Sequence, residues 1–459
     1  MMQLSEAAMA TYGTLNGQDV RFAGISTDSR TIASGQLFVA LRGEHFDGHA
    51  YARQCLEKGA AAVMLDEQGT TQGLAPALVV ADTRLALGKL AAHWRSKFAI
   101  PLAAITGSNG KTTVKEMLAS ILRRAAGGGD SVLSTQGNLN NDIGLPLTIF
   151  RLNATHRYAV IEMGMNHEGE ISYLTRIARP TVALVNNATA AHLGGLGSIE
   201  AVARAKGEIF EGLAEDGTAV INADDTFAAF WHQLAAPRKV LTFGLRNAAD
   251  VSADYVLAND SSTLKLRTPQ GEIKCILPVA GLHNVYNALA ATAAALGMGV
   301  GLTVIAQGLA AFGGVKGRLQ QKPGFNGALV IDDTYNANPA SMKAAIDVLA
   351  ARSGRRLLVL GDMGELGEDA ASMHAEIGRY AKQAGINALY TLGELSQGMA
   401  AAFGAESHHY DTPEMLAAEL KSEMDKSVTV LVKGSRFMRM ERVVNLIGAE
   451  QKEGDHNAA

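Results

Sequence analysis

Residues 101–122 constrain the fold of this chain more than any other segment. The apolar run 101–105 predicts a buried strand, and it ends in the glycine-containing loop Thr106-Gly-Ser-Asn-Gly-Lys-Thr-Thr113. Apolar side chains then recur at the i, i+3, i+4, i+7, i+8 spacing of an amphipathic helix, at Val114, Met117, Leu118, Ile121 and Leu122. A strand, a glycine loop and a helix in this order predict an α/β unit whose loop faces a ligand.

The loop predicts a nucleotide triphosphate site. Its backbone N–H groups and the helix N-terminus can cradle phosphates, Lys111 adds a point charge, and the Thr112 hydroxyl can reach Mg²⁺. The residues expected to contact the nucleotide are Gly107, Ser108, Asn109, Gly110, Lys111, Thr112 and Thr113. The usual motif would place a glycine at position 105, where this chain has Ile105. A short glycine motif can also be a turn that caps a helix, but the flanking strand and helix favour the nucleotide site.

The composition excludes two classes of partner. A formal net charge of -4 gives no basic field for nucleic acid or an anionic membrane, and no uncharged apolar run reaches the ~20 residues needed for membrane insertion. The N-terminus has no basic segment before an apolar block, so we expect no secretory signal and a cytoplasmic protein. Cys55 and Cys275 lie far apart without metal-ligand spacing and suit a reducing compartment.

The length of 459 residues and the order of the apolar runs predict three α/β domains. We expect a small N-terminal α/β domain at 1–84, a central domain with a mainly parallel sheet and the phosphate loop at 85–315, and a C-terminal Rossmann-like α/β domain at 316–459. The central strands are predicted from uninterrupted apolar runs at 101–105, 158–162, 182–186, 218–222 and 240–244. Ligands bind at the carboxyl ends of parallel strands, so polar residues that follow these runs are candidate site residues.

Three candidate residues lie in the central domain. Glu162 ends an apolar run, where a carboxylate can hold Mg²⁺ directly or through water, although it could also cap a helix or form an ion pair. His192 lies just beyond another run, but a lone histidine is more often structural than a ligand. Lys206 lies on a predicted helix, and its spacing alone indicates a solvated lysine paired with Glu200 or Glu208.

Two further segments suit a nucleotide. Asn284 and Asn287 lie one turn apart at a predicted helix start, where amides cap backbone groups or contact an adenine edge, capping being the usual role. Arg318 precedes the polar cluster 331–339, where the arginine suits a phosphate and a strand-end carboxylate suits a ribose hydroxyl. A surface loop is the alternative for this cluster, although its density of Asp, Asn and Thr favours a functional loop.

Taken together, several segments resemble the Mur ligase family, the ATP-dependent amide-forming enzymes of peptidoglycan precursor synthesis. These segments are Ser26-Thr-Asp-Ser-Arg30, Phe46-Asp-Gly-His49, Thr135-Gln-Gly-Asn-Leu-Asn-Asn-Asp-Ile-Gly144, Ile161-Glu-Met-Gly-Met-Asn166, Asp332-Asp-Thr-Tyr-Asn-Ala-Asn-Pro339, Gly361-Asp-Met-Gly-Glu-Leu-Gly367 and Val432-Lys-Gly-Ser-Arg436. The resemblance covers nearly the whole chain, and the shortened glycine loop is the family's own form. It implies an enzyme that phosphorylates a peptide carboxylate with ATP and joins the acyl phosphate to an amine.

The resemblance implies roles for the central candidates. Positions matching Lys111 and Thr112 contact ATP phosphates and Mg²⁺, and those matching Glu162 and His192 help to hold metal. The position matching Lys206 typically carries a CO₂-derived carbamate near a second metal, which reverses the interpretation from spacing alone. The catalytic set implied is Lys111, His192, Lys206 and Arg318, and the metal set is Thr112, Glu162, His192 and Lys206.

The remaining implied contacts divide between nucleotide and substrate. Asn284 and Asn287 match adenine-side positions, Arg318 a phosphate contact and Asp333 a ribose contact. The positions implied for substrate are Ser29, Arg30, Asp47, Gly48 and His49 for the UDP end, Asn138 and Asn141 for the muramoyl peptide, and Lys433, Ser435 and Arg436 for closure from the third domain.

The member of the family that this chain most resembles uses UDP-N-acetylmuramoyl-tripeptide and D-alanyl-D-alanine as substrates and ATP and Mg²⁺ as cofactors. We expect a monomer. One alternative is another ligase of the superfamily, either the one that adds the third stem-peptide residue or folylpolyglutamate synthase. The chain lacks the Asp-Asn-Pro-Arg run of diaminopimelate-adding ligases, and folylpolyglutamate synthase lacks the first-domain segments. The other alternative is an ATP-hydrolysing switch, which the segments outside the loop disfavour.

Overall fold

The computed structural model describes residues 1–69, 73–189 and 193–449. The N-terminal part is a five-stranded sheet in which β4, β5, β6 and β7 are parallel and β2 runs antiparallel at one edge, in the order β2-β7-β6-β5-β4. Its elements are β1 (Met2–Gln3), α1 (Leu4–Thr11), β2 (Thr14–Asn16), β3 (Arg21–Phe22), β4 (Gly24–Ser26), β5 (Gln36–Val39), α2 (Ala52–Glu57), β6 (Ala62–Asp66) and β7 (Ala77–Val80).

The central part is built on a six-stranded, fully parallel sheet in the order β13-β12-β11-β8-β10-β9. Its elements are α3 (Thr83–Ser96), β8 (Leu102–Thr106), α4 (Lys111–Ala126), β9 (Val132–Ser134), α5 (Gly144–Ile149), β10 (Tyr158–Glu162), α6 (Glu170–Ala178), β11 (Val182–Val185), α7 (Leu193–Leu196), α8 (Ile199–Gly207), β12 (Thr218–Asn222), α9 (Ala228–Ala235) and β13 (Lys239–Phe243). The five strands predicted from apolar runs are confirmed to within one residue at either end. The sheet that contains them is covered on both faces, as the uninterrupted runs predict.

An antiparallel three-stranded sheet and two helices complete the central part. The elements are β14 (Ser252–Leu257), β15 (Ser262–Thr268), β16 (Gly271–Leu277), α10 (Leu282–Gly297) and α11 (Leu302–Ala310). The sequence predicts α10 as a helix but does not predict the antiparallel sheet. Leu264 and Leu266 are buried while Thr263 is exposed, so the sheet follows the two-residue alternation of a surface strand.

The C-terminal part is a second six-stranded sheet in the order β17-β18-β22-β19-β20-β21, parallel except for β17 at the edge. Its elements are β17 (Gln320–Pro323), β18 (Leu329–Asp333), α12 (Pro339–Ala350), β19 (Arg355–Gly361), α13 (Ala370–Gln383), β20 (Ala388–Leu392), α14 (Gln397–Phe403), β21 (Ser407–Tyr410), α15 (Pro413–Glu423), β22 (Val428–Lys433) and α16 (Glu441–Ile447). Three α/β sheets in chain order confirm the predicted fold class.

The hydrophobic cores divide the molecule unevenly. One core joins side chains of the N-terminal sheet, such as Leu37 and Met64, to one face of the central sheet through Leu87 and Leu90 of α3. The other face of the central sheet packs against α4, α10 and α11, and the C-terminal sheet has a separate core on each face. In the described part of the chain no helix combines the length and apolarity that crossing a membrane requires.

Candidate active site

The glycine loop leads directly from β8 into α4. Gly110 precedes the helix with φ 81°, in the left-handed region that favours glycine. A Cβ atom there would lie 2.3 Å from Asn287 Oδ1 and 2.5 Å from Asn186 Nδ2, so the position has no room for a side chain. The loop conformation therefore depends on a glycine at this position for both backbone and packing reasons.

Two asparagines after β11 hold the loop in place. The Asn109 N–H donates to Asn187 Oδ1 at 2.8 Å, and the Asn109 carbonyl accepts from Asn186 Nδ2 at 2.9 Å and from Asn187 Nδ2 at 3.2 Å. Ser108 adds a backbone bond from its N–H to the Asn187 carbonyl at 3.0 Å. The sequence places both asparagines at the carboxyl end of a predicted strand, where site residues are expected, but assigns them no role.

Lys111 lies at the first position of α4, and its ammonium donates to the Gly107 carbonyl at 2.7 Å. Burial lowers the pKa of this ammonium below its ordinary value, the Glu162 carboxylate opposes that effect, and the Arg318 charge adds to it. Two cations and one carboxylate thus surround the loop. The excess positive charge suits polyphosphate oxygens.

Glu162 lies at the end of β10, beside the end of β8. Its Oε1 accepts a hydrogen bond from Asn140 Nδ2 at 2.8 Å, whereas its Oε2 is buried and has no hydrogen-bond partner among the described residues. A buried carboxylate oxygen without a donor is costly unless a ligand supplies positive charge. This orphaned oxygen fits Mg²⁺, which binds through one or two carboxylates together with phosphate oxygens and water.

The residues predicted to hold metal are not a ready-made protein cage. Among the described residues there is no group of three or more His, Cys, Asp or Glu side chains that could hold a metal ion. The Thr112 hydroxyl accepts a hydrogen bond from Arg318 Nη2 at 3.0 Å. His192 lies outside the described residues. A metal here would need oxygen ligands from the nucleotide, as Mg²⁺ does at phosphate sites.

Lys206 is buried at 1% exposure in α8, although spacing alone indicated a solvated residue. Burial lowers the pKa of its ammonium well below 10.5, and the charge of Lys111 lowers it further. A lowered pKa leaves more of the neutral amine, which is the form that reacts with CO₂.

The C-terminal part contributes side chains to the same loop. Arg318 reaches Thr112, and its guanidinium lies 4.3 Å from the centre of the Tyr335 ring. Asn338 Nδ2 donates to Asn109 Oδ1 at 2.8 Å, and the Asn338 side chain also caps α12. The chain segments on the two sides of these contacts are more than 200 residues apart.

Asp333 ends β18 and is bound on both oxygens. Lys433 Nζ donates to Asp333 Oδ2 at 2.6 Å, and the Leu319 N–H donates to Oδ1 at 3.1 Å. The Ser435 hydroxyl accepts from the Gly364 N–H at 2.8 Å. Arg436 is more exposed, and it pairs with Glu441 at 3.0 Å rather than reaching the loop.

Two cavities meet at the glycine loop. One, of about 630 Å³, is lined by both central and C-terminal residues, including the predicted nucleotide residues Asn284, Asn287, Arg318 and Asp333. The other, of about 740 Å³, is lined by Lys111, Glu162, Asn138 and Asn141 together with α3 and α12 residues. Asn109, Gly110, Arg318, Ser341 and Lys433 line both cavities. A phosphate chain on the loop would therefore lie at the junction of two separate binding spaces.

The two helix-start asparagines have capping and positioning bonds. Asn284 Nδ2 donates to the Ala280 carbonyl at 2.7 Å, and Asn287 Nδ2 donates to Asn284 Oδ1 at 3.1 Å. Asn287 Oδ1 accepts from Asn186 Nδ2 at 3.3 Å, which links α10 to the asparagines that hold the loop.

The candidates for the UDP end lie apart from both cavities. His49 donates from Nδ1 to Asp47 Oδ1 at 2.6 Å and accepts the Asp66 N–H on Nε2 at 3.1 Å, so both ring nitrogens are used internally. Gly48 packs against Leu41, where a Cβ atom would meet backbone at 2.9 Å. Ser29 contributes its carbonyl to Lys58 at 2.9 Å, and Arg30 pairs with Asp28 in solvent. None of the five candidate residues lines either of the two cavities.

Comparison with known proteins gives the family. A family model described as "Mur ligase family, catalytic domain" matches residues 21–95, "Mur ligase middle domain" matches 105–295, and "Mur ligase, glutamate ligase domain" matches 317–436. The UDP-N-acetylmuramoyl-tripeptide–D-alanyl-D-alanine ligase of Escherichia coli strain K12 is 42% identical over 97% of this chain and 98% of its own length. This chain belongs to the Mur ligase family.

Solved structures of this Mur ligase type share the architecture. A crystal structure of MurF from Acinetobacter baumannii matches with a TM-score of 0.90 and 38% identity, over 96% of this chain and 97% of its own. MurF from Thermotoga maritima in complex with ADP matches with a TM-score of 0.82 and 27% identity, over 94% of this chain and 98% of its own. As a Mur ligase, the protein is an ATP-dependent enzyme that forms an amide bond.

Several residues around this Mur ligase loop have no role assigned from the sequence. Asn186 and Asn187 hold the loop, Asn140 holds Glu162, and Asn338 joins the C-terminal sheet to Asn109. Each lies at or near a strand end in a polar run, as the predicted residues do. The strand-end rule nominates Asn186 and Asn187 but does not predict which residues any of the four asparagines contacts.

Proposed function

We propose that this protein joins D-alanyl-D-alanine to UDP-N-acetylmuramoyl-tripeptide at the expense of ATP, giving the UDP-N-acetylmuramoyl-pentapeptide of peptidoglycan precursor synthesis. The relatives from Escherichia coli and Haemophilus influenzae that carry this name are 42% and 43% identical to the chain over nearly its full length. The observation that carries the proposal is the meeting of two cavities at one phosphate loop. A ligase needs that arrangement because the attacking carboxylate and the ADP leaving group must lie on opposite sides of the γ-phosphate.

The first cavity suits the nucleoside of ATP. Its lining combines amides from Asn284 and Asn287 with the apolar side chains of Leu282, Val279 and Phe312. Amides can read an adenine edge, apolar side chains can cover its faces, and Asp333 can accept a ribose hydroxyl. The triphosphate would then extend along residues 107–113 to Lys111.

The second cavity suits the end of the muramoyl tripeptide. Asn138 and Asn141 line it beside Lys111 and Glu162. The peptide carboxylate and the γ-phosphate are both anions, so Lys111 and Arg318 would neutralise the charge that accumulates as they approach. The carboxylate oxygen would attack the γ-phosphorus as the bond to ADP breaks, which gives the acyl phosphate and ADP. The free amine of D-alanyl-D-alanine would then attack the acyl carbon and lose a proton, and the tetrahedral intermediate would collapse to the amide and inorganic phosphate.

Residues of the C-terminal part would exclude water from the reactants. Arg318 and Asn338 of the C-terminal part touch the loop at Thr112 and Asn109, which covers the junction of the cavities. Excluding water matters because an acyl phosphate hydrolyses readily. Lys433, Ser435 and Arg436 would complete this cover near the incoming amine.

Glu162 and Thr112 would hold Mg²⁺ together with phosphate oxygens, and we assign His192 and Lys206 to a second metal position. When bound, the metal supplies charge stabilisation and alignment of the transferred phosphoryl group. Lys206 would carry a carbamate at this second position. A buried amine with a lowered pKa reacts with CO₂, and the carbamate that forms is an anion that can face the metal.

We assign the UDP end to the first domain, through Ser29, Arg30, Asp47, Gly48 and His49. The three domains would be residues 1–84, 85–315 and 316–459. The protein would act as a cytoplasmic monomer without nucleic-acid partners. Both ring nitrogens of His49 are bonded to Asp47 and Asp66, so we assign the histidine to positioning this segment rather than to direct contact with the UDP group.

The decisive experiment supplies UDP-N-acetylmuramoyl-tripeptide and ATP with one amine at a time: D-alanyl-D-alanine, diaminopimelate, lysine or glutamate. We expect phosphate release and a new UDP-linked product, identified by mass, with D-alanyl-D-alanine only. Ligation of a different amine would assign another reaction of the family. Phosphate release that is independent of every amine would contradict the ligase proposal altogether.

A further inference from the structure

A buried lysine lies one turn beyond the phosphate lysine on the same helix. Lys115 is four residues after Lys111 in α4, and it is 2% exposed. A cation near a helix N-terminus is opposed by the helix dipole, and a buried ammonium is costly unless its donors are used. Neither cavity is lined by Lys115, so contact with a ligand in either space does not account for it.

The ammonium of Lys115 is used to hold a neighbouring strand end. It donates to the Thr135 carbonyl at 2.6 Å and pairs with Glu116 at 2.7 Å. Thr135 directly follows β9 and is itself 1% exposed. The lysine therefore fixes the point at which the chain leaves the sheet and begins the segment 135–141.

That segment contacts Glu162 through two of its residues. The Glu162 N–H donates to Thr135 Oγ1 at 3.0 Å, and Asn140 Nδ2 donates to Glu162 Oε1 at 2.8 Å. The Asn140 carbonyl also accepts the Gly164 N–H at 2.9 Å, just beyond β10. Asn138 and Asn141 of the same segment line the second cavity. One carbonyl held by Lys115 is thus connected to Glu162 and to the wall of the tripeptide space.

We propose that Lys115 is a positioning residue that locks segment 135–141 against the phosphate-loop helix, and thereby sets Glu162 and the tripeptide wall at a fixed distance from Lys111. This inference rests on the proposed function, which assigns Glu162 to the metal and the second cavity to the tripeptide. Lys115 touches no reacting group; it acts through Thr135.

The test compares Lys115→Met, which keeps the length and apolar stem but removes the ammonium, with Lys115→Arg and with Glu116→Gln. Glu116→Gln removes the more exposed partner and leaves the Thr135 bond.

Measurements are the melting temperature, the Mn²⁺ affinity of the ADP complex by electron paramagnetic resonance, and the KM and kcat for tripeptide and ATP. We expect Lys115→Met to weaken Mn²⁺ binding about 10-fold, as loss of a residue behind a metal ligand does, and to raise the tripeptide KM while leaving ADP affinity within about threefold. Lys115→Arg should recover part of the loss, and Glu116→Gln should match wild type.

A lower melting temperature with unchanged Mn²⁺ affinity and unchanged tripeptide KM would overturn the proposal and leave Lys115 as a structural tie. If Lys115→Met does not fold, Thr135→Val tests the next link between Lys115 and Glu162. It keeps the backbone carbonyl that Lys115 holds but removes the hydroxyl that accepts the Glu162 N–H. It should then weaken Mn²⁺ binding with ADP affinity retained, and unchanged Mn²⁺ affinity would again overturn the inference. The metal measurement does not need turnover, so failure of wild type to ligate D-alanyl-D-alanine would contradict the proposed function separately.

Discussion

Among the individual residues, Glu162 is held on one oxygen and bare on the other. Asn140 occupies Oε1, and Oε2 is buried without a hydrogen-bond partner in the described part of the chain. The carboxylate is therefore oriented before any ligand arrives, which lowers the cost of reorganisation during phosphoryl transfer.

Replacing Glu162 by glutamine should separate its charge from its shape. The variant keeps the side-chain volume but loses the anion, so we expect kcat to fall by at least about 100-fold, in line with loss of several kcal/mol of metal-assisted stabilisation. Half-saturation by Mg²⁺ should move to higher concentration in the same steady-state assay. Glu168→Gln is the matched control, because Glu168 lines the same cavity at 54% side-chain exposure. Equal activity of both variants would remove Glu162 from the metal site.

Lys206 should make stability depend on pH in one direction. Its pKa in the folded protein is lowered well below the ordinary 10.5 by burial, so the unfolded chain binds more protons between these two values. In CO₂-free buffer its contribution to stability is therefore full above about pH 10.5 and is lost as the pH falls through the lowered pKa. We expect the melting temperature of Lys206→Met to exceed that of wild type at pH 6, and we expect this difference to be much smaller at pH 9. A difference independent of pH would contradict the lowered pKa.

The same residue gives an activity test for the carbamate. Lys206→Ala should lose ligase activity, and added short-chain carboxylates should partly restore it because they replace the missing anion. Full activity of Lys206→Ala without additives would refute the assigned role.

Among the helices and strands, α4 is flanked at both ends by glycines with left-handed backbones, and the two ends have different surroundings. Gly110 has φ 81° and is closed in by Asn186 and Asn287. Gly127, at the other end, has φ 75°, and a Cβ atom added there would meet nothing within 4 Å among the described residues. The helix therefore supplies its own control for a glycine substitution.

Gly110→Ala and Gly127→Ala should differ in what they damage. Both incur the backbone cost of about 1 kcal/mol for a left-handed alanine, so both should lower the melting temperature. Only Gly110→Ala also displaces the asparagines that hold the loop, and we expect it to weaken ADP binding at least about 10-fold, equivalent to about 1.4 kcal/mol. Gly127→Ala should leave ADP affinity within about twofold, measured by isothermal titration calorimetry. Equal losses of affinity would mean that these asparagines do not set the loop.

In the molecule as a whole, polar contacts link the C-terminal part to the rest, and no hydrophobic core of the described residues spans the two. The N-terminal and central sheets share one hydrophobic core, whereas the C-terminal sheet has its own. Besides the contacts at the loop, Asp260 of the turn between β14 and β15 accepts from Arg352 at 2.7 Å and from Gln321 at 2.9 Å. A separate core joined by polar contacts favours rigid-body motion near residue 315 over motion near residue 84.

Reversing the charge of Asp260 should therefore loosen the C-terminal part. Arg352 is only 7% exposed at its side chain while Asp260 is 67% exposed, so the loss should lie between the ~1 kcal/mol of an exposed pair and the ~3 kcal/mol of a buried one. We expect Asp260→Lys to increase the radius of gyration in small-angle X-ray scattering without ligand, and ATP analogue with tripeptide to reduce it again. Asp254→Lys is the control, because Asp254 pairs with Arg267 inside the same antiparallel sheet. Scattering curves that match wild type would argue against the contact as a restraint on the C-terminal part.

Local patterns in the chain are sufficient to predict five of the six strands of the central parallel sheet, all but β9, and part of the site. Uninterrupted apolar runs predict the inner strands β8, β10, β11 and β12, because a covered parallel sheet buries their side chains on both faces. The edge strand β13 is also predicted, although Lys239 is exposed and only Leu241 and Phe243 are buried. The glycine loop and Glu162 were found for a related reason, since the loop directly follows such a strand and Glu162 is the last residue of another.

The pairing of these residues, by contrast, depends on how the elements pack in three dimensions. Asn186 holds a loop 77 residues away and Asn338 reaches one 229 residues away, and neither pairing is present in any local pattern. Lys206 is buried, although helical spacing alone had indicated a solvated side chain. Periodicity shows on which face of its own helix or strand a residue lies. The burial of that residue and its hydrogen-bond partners depend on which other elements pack against that face.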